Sequence, residues 1–448
     1  MSVYVNRILN LKQIKVIGFD MDYTLVGYNT EKLEELTHRE ALKVLNKKLD
    51  YPESILKLKF DFKRSIVGLV IDKTNGNLLQ LSRYGKVKIS YHGLRQIEYK
   101  EQNRIYKEMA IDIKSSDFVS LDTSFAISNG VIFSQLVQLK EDGVKLPNYH
   151  QIADDIKAVL DIIHQDDTLK SYIKNDFEKY VITDPQVPEL MEKYLDYGKK
   201  LIIITNSDYD YTKALLDYAL NPHWKKHKKW EDVFDIVITL ADKPGFFEHP
   251  GRFLKIDQKT GQMINHLGSV AKGIYQGGWF QKLQDDLGVP GSEILYIGDH
   301  IYGDVVSIKK SCSWRTALVL GDLEQEIKSL RKSKTVQIKI NSLMNEKSIL
   351  EKMLNRPGTS RQTRDKLYEE IDHMNGHISE QLGIFKKFFN PYWGEILRAG
   401  SEESRFAEQV EKYACIYMTK VSDLSEHSPK AYFRPIKRIL PHEAEAME

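Results

Sequence analysis

Of 448 residues only two are cysteine, Cys312 and Cys415. Two thiols make no disulfide framework, which excludes a disulfide-stapled scaffold and points to a reducing compartment, each thiol being a buried packing residue. A dominant charge is also missing, since 65 basic residues face 63 acidic ones and the formal net charge is +2. A nucleic-acid polymer normally calls for a large basic excess, so that partner is not expected, although a local basic pocket for a small phosphate stays open. No stretch reaches the roughly 18–20 apolar residues of a membrane span. The first twenty residues lack the apolar run and small-residue cleavage site of a signal peptide. A soluble, cytoplasmic protein with no membrane partner is the expectation. Internal repeats and low-complexity tracts are lacking too, and 42% hydrophobic residues suffice for a sizeable core.

What the chain does have is short apolar, β-rich runs that stop abruptly at polar residues. Ile14 to Phe19 ends at Asp20, and Lys200 to Thr205 ends in Asn-Ser-Asp. Phe234 to Leu240 is followed by Ala-Asp-Lys, and Glu293 to Gly298 by Asp299. Thr316 to Leu320 is a fifth run, and helix-like stretches such as Pro188 to Tyr197 and Tyr211 to Leu220 separate them. Strands alternating with helices predict a doubly wound, Rossmann-like parallel α/β sheet, with ligands in the crevice at the carboxyl ends of its strands.

The chain between Asp20 and Thr205 is far longer than a crossover needs, so a cap domain inserted over the crevice is expected. We place the catalytic core at 1–60 and 171–323, the cap at 61–170, a helical hairpin at 324–390 and a C-terminal segment partly packed on the core at 391–448. In the cap, Asn75-Gly76 marks a hairpin turn. Tyr149 to His164 carries helical apolar spacing at Ile152, Ile156, Val159, Leu160 and Ile163. Pro357-Gly358 divides the 324–390 stretch into two helices, either an ordinary packed pair or a self-association surface. The polar tail from Ser425 to Glu448 reads as loosely held.

The residues that carry chemistry stand just past the strand ends. FDMDYTL, Phe19 to Leu25, runs an apolar strand into paired carboxylates. Asp20 there could attack phosphorus, and Asp22 could protonate a leaving oxygen and later activate water. Acidic turns, helix caps and plain metal sites share this pattern. Thr205, Asn206 and Ser207 could bind phosphate oxygens at a helix start, or Asn206, Ser207 or Asp208 could simply cap that helix. Lys243 could hold a phosphoryl oxygen or be a solvated surface lysine. In YIGDHIYGD, Tyr296 to Asp304, the carboxylates of Asp299 and Asp304 suit Mg²⁺, while Asp299 could equally cap a helix.

Four such positions on consecutive strand ends, in this order, resemble the haloacid dehalogenase (HAD) superfamily of phosphotransferases: DxDxT, a strand-ending Thr, a Lys, then GDxxxxD. The resemblance implies a HAD-like core with Asp20 as nucleophile and Asp22 as acid and base. Thr205, Asn206 and Lys243 would then hold phosphate. Mg²⁺ would be bound by Asp20, the Asp22 carbonyl and Asp299, with Asp304 supporting the metal shell.

Longer strings are similar to the cytosolic purine 5′-nucleotidase family of the IMP-GMP-specific type: FDMDYTL, GLVIDKTNGNLLQL with His92-Gly93 following, TNSDYDYT, ADKPGFF and ILYIGDHIYGD. That likeness implies hydrolysis of purine nucleoside 5′-monophosphates through an aspartyl-phosphate, with nucleoside phosphotransfer as a side reaction. It gives the base and ribose to Phe125, Lys157, Asp161, His164 and Lys170. Ala126 stands where the animal enzymes usually carry asparagine, and Lys157 where they carry arginine, two groups that are not equivalent for bidentate recognition. The family also implies a homo-oligomer (dimer or tetramer) and an effector site near Tyr302 and Lys310. Its animal members end in an acidic run, whereas this chain ends HEAEAME. The alternatives are a HAD phosphatase for another small phosphomonoester, such as a sugar phosphate, and a non-catalytic nucleotide sensor.

Overall fold

Burial on both faces decides the architecture. In Val16–Phe19, Ile236–Thr239 and Ile294–Gly298 every residue is buried, a pattern that requires layers on both sides of the sheet. A computed structural model, describing residues 3–107, 109–436 and 443, places them in a ten-stranded sheet. Alternate side chains feed separate cores. Ile17, Phe19, Leu201, Ile203, Leu295 and Ile297 join one, and Val16, Ile202, Ile204, Ile294 and Tyr296 the other, as the two-residue period of a strand dictates.

Seven strands run parallel, in the order Ile416–Met418, Arg315–Val319, Ile294–Gly298, Val16–Phe19, Lys200–Ile204, Ile236–Thr239 and Gly273–Gly277. Antiparallel strands close the edges, Val3–Val5 on one side and Phe253–Ile256 with Met263–His266 on the other. The sheet is therefore doubly wound. From the central Val16–Phe19 the chain moves to one side through residue 277, then returns to the other side at Ile294–Gly298. The reversal opens a crevice at the carboxyl end of Val16–Phe19, the usual ligand position in such sheets.

The region inserted before Lys200 holds an antiparallel five-stranded sheet, ordered Arg95–Gln96, Val87–His92, Asn77–Leu81, Leu69–Asp72 and Phe118–Leu121. Asn75-Gly76 makes the first turn with Gly76 at φ +68, where a Cβ would lie 2.9 Å from the Tyr149 ring. Helices Ile127–Glu141 and Tyr149–Gln165 pack against helix Thr30–Leu49, so one apolar core runs from the main sheet into the inserted region.

Helices Leu323–Leu354 and Arg361–Lys386 fold back on each other. The chain then crosses to the five-stranded sheet. The side-chain amide of Gln80 donates to the carbonyls of Trp393 (3.0 Å) and Arg398 (3.1 Å). The Trp393 indole donates to Arg64 O at 2.8 Å, and the Arg64 guanidinium lies 3.9 Å from the Tyr392 ring centre. Only afterwards does Ile416–Met418 enter the main sheet. The expectation of a loosely held tail is corrected for its first part. Lys193 Nζ donates to the carbonyls of Ser425 (3.0 Å) and His427 (2.8 Å), and Tyr432–Phe433 pairs with Leu9–Asn10 and buries Phe433. Apart from Glu443, the tail beyond 436 lies outside the described residues. Among the described residues no helix is long and apolar enough to cross a membrane, and both cysteines are buried and unpaired.

Candidate active site

Asp20 ends its strand at the reversal point, its amide donating to Ile297 O of the neighbouring strand at 2.8 Å. Its Oδ1 accepts from the Met21 amide at 2.8 Å and meets Lys243 Nζ at 2.9 Å. Lys243 also reaches Asp304 Oδ1 at 2.7 Å and donates to the Tyr296 hydroxyl at 3.1 Å. That hydroxyl in turn donates to Ile204 O at 2.7 Å. All three protons of the ammonium thus have acceptors. Burial opposes its charge, but the carboxylates of Asp20 and Asp304 outweigh burial and hold its pKa well above the ordinary lysine value.

The loop that delivers Lys243 is shaped for that purpose. Leu240 and Asp242 stand at φ 41 and 60, conformations that non-glycine residues adopt at a cost of the kind found at functional sites. Asn206 directs both ends of its side-chain amide at the Lys243 backbone. Its Oδ1 accepts from Lys243 N at 2.7 Å and its Nδ2 donates to Lys243 O at 3.0 Å. Thr205 is buried beside it, its hydroxyl accepting from Ser207 N at 3.1 Å.

Asp20, Asp299 and Asp304 each offer a carboxylate oxygen within 4.8 Å of the others. Asp304 sits in a π-helical turn, Ile301–Val306, and its Oδ2 accepts from the His300 amide at 3.1 Å. Burial pushes the Asp20 carboxyl up to about 7, with Lys243 opposing and Asp304 and Asp22 reinforcing the rise. Burial, then the charges of Asp20 and Asp304, raise Asp299 well above the ordinary range. One ammonium does not balance three such carboxylates. A hard, all-oxygen donor set with uncompensated negative charge fits Mg²⁺, and a dication would return these groups to their ionised forms.

Asp22 faces the other way. Its Oδ1 accepts from the Tyr28 hydroxyl at 2.5 Å and its Oδ2 from the Ser207 hydroxyl at 2.8 Å. Burial raises its pKa while those two hydrogen bonds lower it.

The positions expected to meet a base and ribose fall into two groups. Phe125 is half-buried, edge-on to Tyr23 with centroids 4.6 Å apart and 5.8 Å from His164. The His164 Nδ1 is 2.7 Å from Leu160 O, which assigns the proton to Nδ1 and leaves Nε2 as an acceptor. Nε2 is buried and has no hydrogen-bond partner. Burial lowers the His164 pKa, which keeps the ring neutral. Lys170 pairs with Asp208 at 2.5 Å. Lys157 and Asp161, by contrast, are exposed on their helix. Tyr302 is exposed on the π-helical turn, and Lys310 is also exposed, its ammonium 5.8 Å from the Tyr413 ring centre. Sequence reasoning passed over Tyr28, Tyr211 and Tyr296, because a single tyrosine carries no spacing signal and the partners of all three hydroxyls are set by tertiary contacts. The available signal for Tyr296 was Gly18 on the next strand, where a Cβ would lie 2.8 Å from its ring.

A sequence profile of the 5′ nucleotidase family matches residues 3–445. A 5′-nucleotidase domain-containing protein of Dictyostelium discoideum is 27% identical over 452 residues, covering 99% of this chain and 75% of its own length. Solved structures that match include a predicted phosphoglycolate phosphatase from Haemophilus somnus, at 14% identity over 68% of this chain and 85% of that one, with TM-score 0.31. CbbY from Rhodobacter sphaeroides in complex with phosphate matches at 12% identity over 69% of this chain and 87% of that one, with TM-score 0.27.

Proposed function

The chain belongs to the 5′-nucleotidase family, and from that premise we propose that it is a Mg²⁺-dependent hydrolase of purine nucleoside 5′-monophosphates, IMP and GMP first. The observation that carries this reading is the carboxylate cluster of Asp20, Asp299 and Asp304 at the strand-reversal crevice, with Lys243 bridging Asp20 and Asp304. Asp20 attacks phosphorus through its side-chain oxygen and forms an aspartyl-phosphate. Lys243 and Thr205 hold the equatorial phosphoryl oxygens, and Asn206 fixes the backbone from which Lys243 reaches them. Asp22 gives its proton to the nucleoside 5′-oxygen as the P–O bond breaks, then takes one from the water that hydrolyses the acyl phosphate. A nucleoside hydroxyl in place of that water gives phosphotransfer. Mg²⁺, held by Asp20, the Asp22 carbonyl and Asp299 with Asp304 behind them, would supply charge neutralisation on the transferring phosphoryl group.

The neutral His164 beside Phe125 supports a 6-oxopurine, because hypoxanthine and guanine present an N–H at position 1 and adenine does not. A cytoplasmic setting fits the two unpaired buried thiols. A homo-oligomer fits the exposed apolar edge at Ile264 and Leu267, 68% and 86% exposed.

Phosphate release from IMP, GMP, AMP, CMP and glucose 6-phosphate, with Mg²⁺ or with EDTA, tests the reading. Release from IMP and GMP that EDTA stops is expected, together with a loss on the order of 10³-fold or more in Asp20→Asn with the fold intact. Turnover retained in Asp20→Asn would sink the mechanism. Preference for glucose 6-phosphate would leave the chemistry and discard the substrate.

A further inference from the structure

We propose that Tyr28, backed by Tyr211, is a positioning residue that holds the Asp22 carboxyl in register with the leaving-group oxygen. The inference rests on the phosphohydrolase reading above and deepens it. Tyr28 lies in the two-residue strand Gly27–Tyr28, paired with Val181–Ile182, and its hydroxyl is 2.5 Å from Asp22 Oδ1 and 2.9 Å from the Tyr211 hydroxyl. A phenol has one proton. The Tyr28 hydroxyl gives it to Asp22 Oδ1, so the Tyr211 hydroxyl donates to Tyr28. Successive donors of this kind polarise one another.

The far end of this chain is anchored. Tyr211 stands in the first turn of helix Tyr209–Ala219, where its amide donates to Asp208 Oδ1 at 2.8 Å, and Asp208 is itself paired with Lys170. With Ser207 on the second oxygen at 2.8 Å, both Asp22 oxygens are fixed by hydroxyls from two separate elements. These donors orient the carboxyl without putting a charge beside it, and they are not the cations that phosphate would recruit. The Tyr28 ring centre lies 5.0 Å from that of Tyr23 and 6.3 Å from that of Phe125. The group that orients the proton donor is therefore packed against the group proposed to meet the purine.

Leaving-group dependence separates positioning from mere structural support. When the P–O bond of a nucleotide breaks, its electron pair must take the Asp22 proton, because an alkoxide is a poor leaving group. p-Nitrophenolate departs without that help. The full-length protein with Mg²⁺ is assayed for kcat/KM on IMP and on p-nitrophenyl phosphate, as wild type, Tyr28→Phe, Tyr211→Phe and the double variant. The double variant removes both hydroxyls and so leaves neither one orphaned. In Tyr28→Phe and the double variant, kcat/KM for IMP should fall roughly ten-fold or more, in line with a misplaced general acid, while p-nitrophenyl phosphate changes less than about two-fold. Tyr211→Phe should show a smaller shift in the same direction. Equal losses on both esters, or no loss on either, would overturn the positioning role and leave the phosphohydrolase reading standing. A wild-type protein that releases no phosphate from either ester overturns both.

Discussion

A methyl group on Gly298 would sit 2.3 Å from Asp304 Oδ2, so no side chain fits between that strand end and the carboxylate it carries. Gly18 does the same for Tyr296, whose hydroxyl supports Lys243. Small residues under the site are therefore part of it. Gly298→Ala is expected to displace Asp304 and to cut Mg²⁺-dependent phosphate release by ten-fold or more, with near-native circular dichroism. Full activity in that variant would show that the close approach is dispensable. At this scale the sequence exposed the charged members plainly. Asp20 and Asp299 stand directly after apolar runs and Lys243 three residues past one, where a charge is out of place unless used. The tyrosines stayed hidden, because their rings belong to the core and only their hydroxyls to the site.

Elements are held in register by buried polar contacts as well as by apolar faces. Glu34, fully buried in helix Thr30–Leu49, accepts the Ser128 amide at 2.7 Å in the first turn of helix Ile127–Glu141, where a carboxylate meets the positive end of the helix dipole. Burial nevertheless pushes its pKa from 4.5 up to about 7, against the hydrogen bonds from Ser128. Folded, it keeps its proton to about pH 7; unfolded, only to about 4.5. Its stabilising share is complete below pH 4.5 and disappears as pH rises through 7, a loss on the order of 3 kcal/mol. Glu34→Gln keeps an acceptor without the charge. Its unfolding free energy in urea should exceed that of wild type at pH 8, the gap closing towards pH 5; a gap that does not vary with pH would count against this account. The central strands were readable because each is a largely apolar run that stops at polar residues. Gly273–Gly277 and Ile416–Met418 were not, the first because a glutamine and a glycine at each end interrupt its apolar run and the second because it has three residues, and both find their places only through tertiary context.

At the level of the whole molecule, the crossover length told that something extra lay between Asp20 and Thr205, and the order of motifs told which strand ends would meet. Contacts such as Trp393 with Arg64 and Gln80 lie far apart in sequence and leave no periodic trace. Trp393 is 1% exposed, and Trp393→Ala is expected to cost about 3–5 kcal/mol, read from denaturant unfolding. Loss of only a few tenths would show that this strap carries little of the stability. The strap also sets a timetable for synthesis. Strand Arg315–Val319 leaves the ribosome with one flank bare, and its neighbour Ile416–Met418 follows only after the helical hairpin and the segment that ties down the five-stranded sheet. The nascent chain therefore carries every proposed catalytic residue long before its main sheet is complete. Ile416–Met418, set between Arg315–Val319 and Val3–Val5, is the closing stitch of that sheet.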